Sequence, residues 1–410
     1  MIPYEQARKL VIEKATVLGQ EAVTLDEALG RVAARDIRSK INVPPFRNSA
    51  MDGYAIRSED TKRDTGKGGA NYISLKLVAA QPAGDYFRKK IRSGETVKVM
   101  TGAPVPAGAE AVVPLEEVER RGSQILIKRQ IKPGENIREA GEDVKKGEII
   151  IRQGSVLKTP ELGLLAACGF NQVSVYRRPA VAVIITGNEL CEPGERLQPG
   201  KIYNSNAVIL KALLKSSGVE LVSLEKVEDS LKFLISALKR AVKKADLIIT
   251  TGGVSVGDYD LVKEALEKIS ARKIFWQVAQ KPAKPLAFYF LRQGQKPRWF
   301  FGLPGNPGAV MIAFEEYVRP LIKKVSGHEN FWPVEIEASL TGPVKKKAGR
   351  LNFLRVTLEN KNGEWLARPL GKQESGMMAS FLMTGGLALI PAEAEFLPEG
   401  TKVKVHLVEW

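Results

Sequence analysis

RPAVAVIITGNEL, residues 178–190, decides the architecture. Positions 180–185 are apolar throughout, without the alternation of a strand that shows one face to water, so they read as a strand buried on both faces of a parallel sheet. Toward the C-terminus the hydrophobic period switches repeatedly between helix and strand. Helical spacing at 205–217 precedes a strand at 220–225, a helix around 230–243, a strand at 246–250 and a helix at 260–269. A strand near 273–278, strands at 286–291 and 298–301, and a last helix at 307–324 follow. This alternation predicts a three-layer α/β unit with a mostly parallel sheet.

The flanks follow different rules. Residues 3–19 carry Ala7, Leu10, Val11, Ala15 and Leu18 at helical spacing up to Gly19, and a second short helix is expected at 25–29, stopped by Gly30. From 41 to about 150, short alternating segments such as 74–78 and 96–99 are punctuated by Gly and Pro, which is a β-rich grammar. After Gly327 β-type alternation returns and predicts a small C-terminal β domain. The Gly/Lys-rich stretch 64–69 reads as an exposed turn, and no internal repeat is visible. At 410 residues the chain exceeds what one core organises, so three or four units are expected.

Composition narrows the chemistry. Two cysteines, Cys168 and Cys191, and two histidines, His328 and His406, argue against zinc or haem sites and against a His-based triad. Any metal should be a hard cation held by carboxylates. Lys plus Arg number 62 against 46 Asp plus Glu, a net charge of +16. Spread along the chain, this surplus reads first as a solvated surface and second as attraction for phosphorylated small molecules. Nucleic-acid binding lacks an aromatic-plus-basic recognition motif. With no apolar stretch near the roughly 20 residues that span a bilayer and no signal-peptide profile at the start, the expected location is the cytoplasm, away from membranes.

Ligands of open parallel sheets bind beyond the carboxyl ends of the strands, so the segments after each apolar run are the informative ones. Three stand out: Thr186 to Leu190, Thr250 to Asp260, and Gly302 to Gly308. Glycines let backbone N–H groups converge on an anion, while Asp258 and Asp260 would repel a bare phosphate and so argue for an intervening magnesium ion. Any one such loop is more often a plain strand-to-helix turn; three in one unit shift the balance toward a site. Lys281-Pro282-Ala283-Lys284-Pro285 puts two ammonium groups on a proline-set segment, better suited to an oxyanion clamp than to solvated lysines. Segments 44–55, 101–106 and 140–144 are rich in turn-formers and small polar groups, and on physics alone either capped turns or site loops fit them.

Taken together, PPFRNSAMDGYA at 44–55, TGAPVPAGAEAVVPLEEV at 101–118, AGEDV at 140–144, TGNEL at 186–190, TTGGVSVGDYD at 250–260, KPAKP at 281–285 and GLPGNP at 302–307 resemble the MoeA family, the molybdopterin molybdenumtransferases, to which the E domain of gephyrin is related. The resemblance covers nearly the whole chain. It implies an N-terminal helical and β domain (1–40 and 141–177), an inserted elongated β-rich domain (41–140), the α/β molybdopterin-binding domain (178–327) and a C-terminal β-barrel-like domain (328–410). It also implies a homodimer in which N-terminal motifs of one subunit face the α/β domain of the other. The implied reaction joins molybdate to adenylylated molybdopterin and releases AMP, with magnesium assisting.

Carried over position by position, the catalytic set is Asp52, Thr101, Glu189, Asp229, Asp260, Lys281 and Lys284, with Glu189, Asp258 and Asp260 on the metal. Ser49, Asp143, Gly252, Gly253, Ser255, Gly257, Pro304, Gly305, Asn306, Arg350 and Ser375 are the expected substrate contacts. Three positions depart from the family pattern: Asn188 where Asp is frequent, Ala283 where Gly is frequent, and 383–386 where an Ala-Asn-Gly sequence is usual. Tungstate matches molybdate closely in size and charge, so either oxyanion fits. A molybdopterin adenylyltransferase is expected upstream and molybdoenzymes downstream. The rival readings are that adenylyltransferase activity itself, against which the large flanking domains argue, and a non-catalytic gephyrin-like scaffold, against which the many charged loop residues argue.

Overall fold

The run at 180–186 lies second in a six-stranded sheet ordered 220–227, 180–186, 247–251, 296–303, 287–293, 272–276. The computed structural model describes residues 1–62, 72–82, 84–252, 261–294, 296–374 and 376–410, with only the backbone of Gln293. The first four strands of that order are parallel in register, for example Val181 opposite Leu247 and Leu247 opposite Trp299. Strand 287–293 is antiparallel to both of its neighbours, so it alone runs against the other five.

The period of two along strand 180–186 explains why residues 180–185 are all apolar. Val181, Val183 and Ile185 enter one core with Leu210, Leu213 and Leu214 of helix 205–216. Ala182 and Ile184 enter another with Leu234 and Leu238 of helix 231–244 and Leu266 of helix 261–268. Trp299, Phe288 and Phe301 are each fully buried, and the last two rings lie 4.8 Å apart. Each such side chain contributes about 1.5–3 kcal/mol relative to exposure.

Helix Tyr4–Glu13 does not stay with the N-terminal domain that residues 1–40 were expected to form. Tyr4, Ala7 and Val11 join the first α/β core, Ile2 N donates to Gln277 O (3.1 Å), and Trp299 Nε1 donates to Lys14 O (2.8 Å). Periodicity reveals that this helix has an apolar face; only packing reveals what covers it. The short helix expected at 25–29 is instead a pair of turns, with Glu27 N donating to Thr24 O and Ala28 N to Leu25 O. Gly30, at φ +74, then sends its N–H to Leu157 O, which draws the chain away before a second helical turn forms.

In the N-terminal module strand 20–24 pairs antiparallel with 172–176, and Val23, Ile37, Leu157, Leu165 and Val175 form its core. Chain 41–140 leaves and re-enters through a neck in which Val43 bridges Val144 and strand 48–49 pairs with 137–138. Its own sheet is ordered 111–114, 53–56, 95–99, 73–81, 124–127, 118–121. The Gly/Lys-rich 64–69 lies outside the described residues.

At the C-terminus strands 351–361, 364–369, 335–340, 402–407 and 386–390 follow one another around a closed barrel, the last pairing back on the first through Asn352 and Ile390. Closure removes the sheet edges that would otherwise invite aggregation. The α/β unit reaches into this barrel: residues 280–281 pair parallel with 351–352. The expected helix at 307–324 is present as Pro307–Ala313, a π-helical Phe314–Val318 and Arg319–Val325. Among the described residues no helix is long and apolar enough to cross a membrane.

Candidate active site

Polar groups collect at the carboxyl edge of the sheet. Asn206, 8% exposed at the start of helix 205–216, donates through Nδ2 to Gly305 O (2.7 Å) and to Thr251 Oγ1 (3.2 Å). Thr251 Oγ1 in turn donates to Pro304 O (3.0 Å), so the ends of strands 247–251 and 296–303 are tied together. Gly252, at φ +86, lies so close to strand 180–186 that a Cβ there would stand 2.1 Å from Thr186 O. A glycine is therefore required, though it is the neighbouring strand, not a ligand, that comes so near. Buried Thr186 Oγ1 and Asn206 Oδ1 have no hydrogen-bond partner among the described residues. A buried polar atom without a partner calls for one, and a bound molecule, ion or water can supply it.

Next to this edge is a cleft of about 450 Å³ between the α/β unit and the barrel. Pro304 and Asn306 form one wall, the segment 280–285 another, and the barrel supplies Lys345, Arg350, Asn352 and Lys372. Among the described residues that line it, Lys281, Lys284, Lys345, Arg350 and Lys372 thus stand against a single carboxylate, Glu374. A concave wall of one sign focuses the field and concentrates anions. The loop bearing Arg350 is held by Lys346, whose Nζ donates to Arg350 O and Ala392 O (3.1 Å each); burial pushes that ammonium's pKa down. Gln373 fixes the opposite lip, accepting from Arg355 N (2.6 Å) and donating to Leu370 O (2.6 Å). Ala283 takes up the left-handed φ of +62, a conformation that glycine adopts without strain.

The cleft brings together Lys281, Lys284, Pro304, Asn306 and Arg350, all expected from sequence, with Gly305 alongside. Lys345, Lys372, Asn352 and Asn206 were missed. The only sequence signal was the basic run 345–347, indistinguishable from a solvated surface. Gly253, Ser255, Gly257, Asp258, Asp260 and Ser375 lie outside the described residues.

Glu189 and Asp229 are exposed on the ends of adjacent strands 180–186 and 220–227. Asn188 N donates to Asp229 Oδ2 (3.0 Å), and Asp229 N donates to Asn188 Oδ1 (3.3 Å). Asn188 is thus a brace for Asp229. No cluster of three or more His, Cys, Asp or Glu side chains suited to a metal occurs among the described residues. Magnesium commonly takes one or two carboxylates and leaves its other positions to water and phosphate oxygens, a donor set that Glu189 and Asp229 fit.

The three N-terminal motifs converge on one another, away from this cleft. Ser49 N donates to Ala103 O (3.0 Å), Gly102 N to Ser49 O (2.8 Å), Gly141 N to Pro44 O (3.0 Å) and Asp143 N to Val43 O (3.0 Å). Asp52 Oδ1 accepts from both the N–H and the hydroxyl of Thr101 (2.7 Å each); these bonds, the backbone one first, hold the carboxyl below the usual carboxylate range. Asp143 is exposed. Ser49 does not fit its expected role: it is fully buried and its hydroxyl donates to Met51 O (2.5 Å), so it shapes the turn. None of Ser49, Asp52, Thr101 and Asp143 lines the cleft of the same chain.

Comparison with known proteins agrees with this layout. Three family models match in order: MoeA N-terminal region (domains I and II) over residues 2–169, probable molybdopterin binding domain over 182–324, and MoeA C-terminal region (domain IV) over 337–408. A molybdopterin molybdenumtransferase of Haemophilus influenzae is 37% identical, covering 99% of this chain and 98% of its own length. One from Staphylococcus epidermidis is 34% identical, over 100% of this chain and 96% of its own. Two crystal structures of the molybdopterin biosynthesis MoeA protein of Pyrococcus horikoshii match with TM-scores of 0.83 and 0.79 at 34% and 32% identity, each covering 100% of both chains. With its β-rich N-terminal modules, α/β unit and closed barrel in the same order, the chain belongs to the MoeA family, whose relatives named above are molybdopterin molybdenumtransferases.

Proposed function

We propose that the cleft lined by Lys281, Lys284 and Arg350 takes the oxyanion, molybdate or tungstate, and that the carboxyl edge of the sheet takes adenylylated molybdopterin, from which AMP is released. The observation that carries this reading is, among the described residues, the wall of five cations against one carboxylate, joined through Gly305 to buried Asn206, whose Oδ1, like Thr186 Oγ1, has no hydrogen-bond partner there. A dianionic metalate and a phosphorylated pterin repel each other in water. Ammonium and guanidinium groups fixed around the meeting point offset that repulsion and hold the metalate oxygens in one orientation. Magnesium, held by Glu189 and Asp229 and by phosphate oxygens, would polarise the phosphoanhydride. Asp52, kept ionised by Thr101, acts from the other subunit of a homodimer. A molybdopterin adenylyltransferase supplies the substrate, and molybdoenzymes receive the product.

AMP release from adenylylated molybdopterin, measured with molybdate and with tungstate, tests the reaction; formation of the adenylate from ATP and molybdopterin would instead favour the adenylyltransferase reading. Subunit mixing tests the assembly. Asp52→Ala and Lys284→Ala homodimers should each be inactive, while their co-expression should restore about a quarter of wild-type activity, since about half the dimers are mixed and each of these holds one good site of two. No recovery in demonstrated heterodimers would place the site within one chain.

A further inference from the structure

Two polar side chains with no role so far have no measurable exposure: Tyr317, behind the cation-bearing segment, and Gln280, at its start. Tyr317 belongs to the π-helical turn Phe314–Val318. A π turn widens the helix by one residue and changes which side chains face inward, and such turns recur at functional positions. Here two consecutive residues are buried with their polar ends engaged on different elements. Glu316 receives the Tyr4 hydroxyl (2.5 Å) and lies 2.9 Å from His406 Nδ1, so it joins the N-terminal helix to the barrel. The Tyr317 hydroxyl donates to Gln280 Oε1.

Gln280 continues the chain of contacts into the cleft. Its Nε2 donates to Ala283 O (3.3 Å), the carbonyl midway between Lys281 and Lys284 on a residue held in left-handed conformation. Among the described residues the same segment is held at its other points by backbone bonds: Ala279 N to Ile2 O (2.8 Å), Leu351 N to Ala279 O (3.0 Å), and Val278 N to Lys284 O (3.0 Å). The side-chain link through Gln280 is the one that reaches the turn itself.

We propose that Tyr317 and Gln280 are positioning residues that set the separation of Lys281 and Lys284, and through it the affinity of the cleft for a tetrahedral oxyanion. The inference rests on the reading that this cleft takes the oxyanion. Neither side chain touches the anion: Tyr317 orients Gln280, and Gln280 holds the Ala283 carbonyl so that the two ammonium groups stay at fixed spacing. Without that hold the lysines sample wider positions, and the anion must supply the ordering that the protein no longer does. The effect falls on oxyanion binding and leaves the later chemistry alone.

The test uses the full-length enzyme and separates the two contacts. Tyr317→Phe removes the first hydrogen bond with minimal change in shape; Gln280→Glu keeps an acceptor for Tyr317 but removes the donor to Ala283 O. Each is expected to raise the molybdate KM about tenfold, the size of one lost buried hydrogen bond, with kcat within about twofold of wild type. The two together should cost less than the product of the single effects, because both act through one chain of contacts. Molybdate binding to the enzyme without pterin, measured by calorimetry, should weaken in parallel. A lower melting temperature with unchanged KM and unchanged molybdate binding would overturn the proposal, since that is the signature of packing alone. Lys284→Ala is the control for the underlying reading: if it binds molybdate as wild type does, the cleft is not the oxyanion site; if it loses binding while Tyr317→Phe and Gln280→Glu keep it, only the positioning role falls.

Discussion

The two edges of the central sheet carry similar residue types to opposite ends. At the amino edge Asp246 is saturated: Arg177 meets it through two nitrogens (2.8 and 3.1 Å), Arg298 through one (3.1 Å), and Ala180 N donates to it (2.9 Å). Among the described residues of the carboxyl edge Thr186 Oγ1 and Asn206 Oδ1 are buried without partners, and those lining the adjoining cleft set five cations against one carboxylate. Charges that neutralise one another hold a fold together, whereas charges left facing a cavity are available to something from outside. The contrast lies in how each polar group is paired, since the amino edge too borders a cleft, lined by Lys14, Lys243, Lys244 and Lys296 beside Asp246.

The largest way to break it is at the amino edge. Asp246→Ala leaves Arg298, 7% exposed, without its counter-charge, and should lower folding free energy by about 3–5 kcal/mol in denaturant titrations, while the folded fraction keeps its molybdate KM. An altered KM with unchanged stability would mean that this edge belongs to the site. Next in size, Gly252→Ala forces a Cβ against Thr186 O and a left-handed φ on alanine. A loss of about 2–4 kcal/mol is expected, accompanied by lost turnover because the carboxyl edge itself must shift.

A smaller effect should come from Asn206→Ala, which unties Gly305 and Thr251. We expect the pterin-substrate KM to rise about tenfold with little change in melting temperature. A large stability loss without a change in KM would make Asn206 a carboxyl-edge counterpart of Asp246. The smallest is electrostatic. Thr101 depresses the Asp52 pKa, so this contact stabilises the fold above the ordinary aspartate pKa of about 4 and is lost as pH falls through the lower, folded-state value. Thr101→Val keeps the N–H but removes the hydroxyl, and Asp52 should titrate at higher pH by NMR, with the acid-side loss beginning earlier; an unmoved titration would show that the backbone bond alone suffices.

Much of this was legible before any coordinates. The all-apolar run at 180–185 reads as a strand covered on both faces, whereas Gly252 after the strand at 247–251, expected to serve a bound anion, makes room for Thr186 O instead. The cleft between the α/β unit and the barrel was legible in part. Lys281 and Lys284 stood out because prolines framed them, but Lys345 and Lys372 looked like ordinary surface lysines, having no distinctive neighbours in the chain. Ser49 was misread for the opposite reason: a hydroxyl in a polar motif resembles a ligand donor until Met51 O is seen to occupy it.

The sequence by itself determined the periodicities, and with them the strands, the helices and the order of the modules, because those depend on residues a few positions apart. It also determined the family, through motifs whose glycines, prolines and charges are fixed by local chemistry. Which motifs became neighbours was decided only by tertiary structure. Helix 4–13 left its sequence neighbours for the α/β core, the barrel lent Arg350 to a loop some 70 residues upstream, and a π turn at 314–318 reached back to Gln280. The physical reason is that burial and hydrogen bonding are satisfied by whatever surface closes over them, and that surface is a property of the assembled fold, not of the adjacent chain.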